Sequence, residues 1–144
     1  MDIFKETKKT LTVSEKKQIC DLYISLKKES SMKRLQQPIS MVAEKMELLS
    51  LSDNRHQRAL LNITKALTEV IIKDKKNGEP LERLALIGIA YLCDPFDIIP
   101  DHNVGHGYDD DLFMFSLVLA DIEKVSERTY YNIKEAYQAL SESD

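Results

Sequence analysis

Apolar residues recur at helical intervals along most of the chain. Thr12-Val13-Ser14-Glu15 has the spacing of a capping box, and Ile19, Leu22, Tyr23 and Leu26 follow at steps of three and four, predicting a first helix near residues 13–30 that Ser30-Ser31 breaks. Pro38 suits the first turn of a second helix with the stripe Ile39, Val42, Met46 and Leu49, ending at Ser50 and Ser52. Asp53 is the expected cap of a third helix, which runs to about Lys76 with Leu60, Leu61, Ile63, Leu67, Val70 and Ile71 facing inward and Gly78 as the stop.

The pattern then changes. Pro80 opens a fourth helix in which Leu84 to Cys93 is apolar on nearly every side, so it must lie at the centre of a bundle or against lipid; Pro95 ends it. A fifth helix starts at Asp109-Asp110-Asp111, is again almost continuously apolar from Leu112 to Ile122, and can continue, with a bend, through Tyr130, Ile133, Tyr137 and Leu140. No segment alternates strictly over strand length. The expected fold class is therefore all-α, a single-domain bundle of about five helices over residues 1–144 with a central apolar helical hairpin.

Composition adds few restrictions. At 144 residues, with four glycines and four prolines, the chain suits one compact unit. Cys20 and Cys93 show no metal-ligand spacing and read as free thiols. The N-terminus has no apolar run like a secretory signal core, so a cytoplasmic location is expected. Neither apolar run approaches the roughly 20 residues of a membrane span.

Charge singles out one region. Between Arg83 and Lys124 there is no Lys or Arg, whereas Asp94, Asp97, Asp101, Asp109, Asp110, Asp111, Asp121 and Glu123 are all present, so the net charge of −4 hides an acidic segment behind a mildly basic one. Most of these acids surround Pro95-Phe96-Asp97-Ile98-Ile99-Pro100-Asp101 and Gly107-Tyr108-Asp109-Asp110-Asp111, the turn between the two apolar helices.

This arrangement resembles the YkvA-like family, a bacterial domain of unknown function, over roughly residues 82–120. The matching positions are Tyr91, Leu92, Pro95, Asp97, Ile99, Pro100, Asp101, Gly107, Tyr108, Asp110 and Asp111. The resemblance implies the helical segment but no agreed activity, and it implies membrane association for some members. Here His102, Asn103 and His106 occupy a loop that is usually apolar in the family, which makes it more like a polar site.

Three roles suit the acidic turn. Its carboxylates can cap the fifth helix and fix tight turns, a purely structural use. They can bind a divalent cation through Asp97, Asp101, Asp110 and Asp111, with His102 and His106 favouring Mn or Zn and an open position allowing hydrolysis. They can instead form the acidic tip of a module that binds a basic protein partner or a second copy of itself. No phosphate loop, GxSxG elbow or HExxH motif is present, which favours binding over catalysis. Lys5, Lys8, Lys9, Lys16, Lys17, Lys27, Lys28, Lys33 and Arg34 are interspersed with acids and read as a solvated face, so no nucleic acid is expected. Peripheral membrane contact is the remaining alternative, with buried acids weighing against it.

Overall fold

The computed structural model describes residues 3–29, 35–52, 54–73, 79–93 and 108–143. Among them are seven α-helices and one 3-10 segment: α1 (Ile3–Thr10), α2 (Val13–Glu29), the 3-10 segment (Gln37–Met41), α3 (Val42–Ser50), α4 (Arg55–Lys73), α5 (Glu79–Cys93), α6 (Asp109–Val125) and α7 (Glu127–Ser143). No strand occurs among the described residues, as the periodicity predicts.

Local chemistry explains several boundaries. The capping box forms: the Thr12 hydroxyl accepts from the Glu15 amide at 3.0 Å, and the Glu15 carboxylate accepts from the Thr12 amide at 2.8 Å. At the start of α4 the side chain of Asn54 accepts from the His56 and Gln57 amides at 2.8 and 3.2 Å, so Asn54 is the capping residue seen. Asp53, the expected cap, lies outside the described residues.

The helix count differs from the expected five for two reasons. A first helix, α1, precedes the capping box; its inward positions Phe4 and Thr7, followed by Leu11 just past its end, include a threonine, which hides the stripe. The fifth helix is interrupted at Ser126, whose backbone is extended (φ −151°, ψ 101°) and whose hydroxyl accepts from the Thr129 amide at 3.3 Å to start α7. The second helix also begins later than expected, because Pro38 opens a 3-10 segment and regular α geometry starts at Val42.

The two apolar helices occupy the centre. Every residue from Leu84 to Cys93 is buried, and α5 touches α2, α3, α4, α6 and the 3-10 segment. Helix α6 touches α1, α2, α4, α5 and α7. Of the two environments open to such an apolar helix, α5 takes the interior of a bundle. Tyr91 meets Asp110 while Gly88 meets Phe115, so α5 and α6 run antiparallel. At Gly88 the backbone of α5 approaches the fully buried Phe115 ring so closely that an added Cβ would stand 2.9 Å from it.

The amphipathic helices cover this pair as their stripes require. Ile19 and Tyr23 of α2, Val42 and Leu49 of α3, and Leu60, Leu61, Ile63, Leu67 and Val70 of α4 are all buried. Asn62 of α4 donates to the Ala136 carbonyl of α7 at 3.1 Å, tying the two outer helices together. Among the described residues, no helix is long and apolar enough to cross a membrane.

Candidate functional site: a buried acidic helix start

The Asp triplet lies inside the fold. Asp109, Asp110 and Asp111 form the first turn of α6 and are 3%, 0% and 0% exposed, at the point where α1, α4 and α5 meet α6. A carboxylate so far from water requires hydrogen bonds or an opposite charge. The positive end of the α6 dipole supplies part of that compensation.

Other helices bring polar partners to the same turn. The Thr10 hydroxyl at the end of α1 is 2.7 Å from Asp109 Oδ2 and can donate to it; the Thr7 carbonyl lies at 2.8 Å as a competing acceptor. His56 of α4 places Nδ1 3.2 Å from Asp109 Oδ1. The Tyr91 hydroxyl of α5 donates to Asp110 Oδ2 at 3.2 Å. Three helices distant in sequence are thus tethered to one helix start. Arg55 and Arg58 sit on the same opening turns of α4 as His56, half-buried and with their Nε atoms shielded from water.

The six residues predicted as cation ligands are divided by this picture. Asp110 and Asp111 are side by side and buried, whereas Asp97, Asp101, His102 and His106 lie outside the described residues. Among the described residues, no three His, Cys, Asp or Glu side chains are grouped so as to hold a metal ion. Sequence reasoning missed Thr10 and His56, for which no local pattern exists because both approach through tertiary packing. Tyr91 carried a signal, its fixed place in the motif ahead of Pro95, but not one that named Asp110 as its partner.

A second polar group, half-buried, lies further along α6. Asp121 Oδ2 accepts from the Tyr23 hydroxyl at 2.5 Å and from Lys27 Nζ at 2.9 Å, and Lys124 Nζ is 3.7 Å from Oδ1. Lys27 also lies over the Tyr23 ring, 4.6 Å from its centroid. Burial acts to raise the Asp121 carboxyl, but the hydrogen bonds from Lys27 and Tyr23 and the charges of Lys27 and Lys124 outweigh it, leaving the group below its ordinary value. Burial, and after it the hydrogen bond and charge of Asp121, pushes the Tyr23 phenol far upward.

These directions fix signs. A depressed Asp121 stabilises the fold above the ordinary carboxylate range, and that contribution is lost as pH falls through the folded-state value. The raised Tyr23 contributes below the phenol's ordinary value of about 10 and loses that contribution as pH rises beyond it. Thermal melts of wild type and Asp121→Asn should therefore differ most near neutrality and converge below about pH 4. A gap that stays constant to pH 2 would contradict this assignment.

The architecture defines an all-helical protein whose central antiparallel pair carries a buried acidic helix start. Residues 83–117, which span most of α5 and the first half of α6, match the family described as "Protein of unknown function (DUF1232)", in agreement with the YkvA-like resemblance of this segment. No curated protein and no solved structure matches the chain.

Proposed function

We propose that the protein is a helical binding module that holds a basic amphipathic helix of a protein partner on the outer face of α3. The observation that carries this reading is an exposed apolar stripe beside the start of α6. Met41, Leu48 and Leu51 are 44%, 60% and 79% exposed and lie on one side of the helix. Exposed apolar residues gathered on one face favour an interaction surface over chance exposure.

Charge favours a basic occupant. Glu44 falls among the apolar positions of this face and exposed Glu47 flanks it. On the opposite flank Lys45 is turned toward the motif, its ammonium 5.6 Å from the centroid of the Tyr108 ring, the residue before Asp109. Lys45 thus links this helix to Tyr108 of the matched segment, while the open edge of the stripe is acidic. With Asp109 to Asp111 buried, their carboxylates are not open to a protein partner, and in this reading recognition falls to the α3 face.

A designed Leu/Lys amphipathic peptide should bind the folded protein, and a Leu/Glu peptide of the same length should not. Leu48→Glu with Leu51→Glu should weaken the Leu/Lys peptide by at least about tenfold, the loss of two apolar contacts, with the melting temperature unchanged because both side chains are exposed. Glu44→Lys with Glu47→Lys should weaken it less. Equal affinity for all three proteins would remove α3 as the docking face.

A second reading is a divalent cation held by Asp110 and Asp111 together with Asp97, Asp101, His102 and His106. Supporting it is the complete burial of the two described carboxylates, which favours a positive charge brought to them. After EDTA treatment, Mn or Zn should raise the melting temperature in wild type and not in Asp111→Asn. No ion producing a shift would dismiss this reading and leave the triplet with its structural role.

A further inference from the structure

A shallow cavity of about 350 Å³ opens where α2, α5 and α6 meet, on a different part of α6 from the Asp triplet. Its apolar wall is made by Pro80 and Leu84 of α5 and Val125 of α6, the last 49% exposed. Among the described residues, three cationic side chains border it, Lys27 from α2, Arg83 from α5 and Lys124 from α6, together with the carboxylate of Asp121, which pairs with both lysines. The combination of an apolar wall and a cationic rim is the complement of a molecule with an apolar body and an anionic head.

We propose that this cavity binds a single-chain amphiphilic anion, a carboxylate or phosphate head on a short acyl tail, taken as the free molecule from solution. The tail would lie along Leu84, Pro80 and Val125, and the head would meet the cations at the rim. Lys27 is preorganised for this, because its ammonium is held by Asp121 at 2.9 Å and stacked over Tyr23, so little side-chain freedom is lost on binding. Asp121 keeps the head from seating at the bottom of the cavity and directs it to the outer edge, where Lys124 is 80% exposed. The volume falls at the lower end of the range for small-ligand sites, about 300–1,000 Å³, which suits one short chain and not a two-chain lipid.

The test uses the purified full chain with sodium octanoate, followed by thermal unfolding and titration calorimetry at constant ionic strength. Octanoate should raise the melting temperature in a saturable way, acetate should not, and octanol should do so less. Val125→Trp, a change at a half-exposed position that fills the cavity, should abolish the octanoate shift while leaving the unliganded melting temperature in place. Lys124→Glu, which reverses an exposed rim charge, should weaken octanoate by roughly three- to tenfold and octanol not at all.

Octanoate without effect, or an effect that survives Val125→Trp, would overturn the proposal. Binding to phosphatidylglycerol vesicles with no response to octanoate would also overturn it, assigning the cationic rim to a membrane surface instead. None of these outcomes depends on the α3 face.

Discussion

Replacing Asp109 with alanine is expected to destabilise the protein by about 3 kcal/mol, a large share of the roughly 5–15 kcal/mol that holds a typical domain folded. The carboxylate is 3% exposed and joins two helices to α6 through Thr10 at 2.7 Å and His56 at 3.2 Å. Truncation removes the bonds to both groups and leaves a cavity in the buried first turn of α6; Thr10 keeps the Thr7 carbonyl at 2.8 Å as an acceptor, so the cost falls mainly on the His56 contact and the lost packing. It also removes a negative charge from the positive end of α6. Asp109→Asn keeps the shape and one acceptor oxygen and should cost less, about 1–2 kcal/mol. Thr10→Val removes only one donor and should cost about 1 kcal/mol, with α1 the element loosened. Urea unfolding of the three variants orders these values, and wild-type stability in Asp109→Ala would show that the carboxylate is not part of the polar framework of the fold.

Gly88→Leu should be at least as damaging. A Cβ at position 88 would already stand 2.9 Å from Phe115 Cε1, 3.1 Å from its Cδ1 and 3.3 Å from Leu67 Cδ1, and both neighbours are fully buried. The remaining leucine carbons would have to separate α5 from α6 or α4. Such overpacking costs about 3 kcal/mol or more when no direction of relief exists. Gly88→Ala is the graded case: helix propensity gains about 1 kcal/mol while crowding costs about 1–3, giving a net loss near 1. If the close contact is the cause, Phe115→Leu should cost less in the Gly88→Ala background than in wild type, and additivity of the two changes would exclude it.

Much of this architecture was legible in the sequence because its signals are local. The stripes of α2, α3 and α4 point inward as their spacing requires, and the run from Leu84 to Cys93 is buried on every side. The capping box at Thr12 forms as read. Boundaries were harder where a side chain has two uses. Ser126 reads equally well as a helix residue or a cap, and the structure selects the cap by extending its backbone. Thr7 reads as polar, yet it is fully buried on the inner side of α1.

The site was legible in position but not in environment. The Asp triplet was correctly placed at a helix start, while nothing near it in sequence shows that α1 and α4 would enclose it. The pairing of Thr10 and His56 with Asp109 spans 99 and 53 residues, and such separations leave no trace in local spacing. Residues 97–106 of the motif lie outside the described residues, so the cation reading stands on chemistry and on the burial of Asp110 and Asp111. The exposed stripe on α3 became visible only once burial was known, since Leu48 and Leu51 are as apolar as the core positions beside them.

The most direct test of the account is an NMR titration of isotopically labelled protein with the Leu/Lys amphipathic peptide. The expected result is a saturable set of shifts confined to residues 41–52 and Tyr108. Shifts centred elsewhere, or none at saturating peptide, would contradict an α3 docking face.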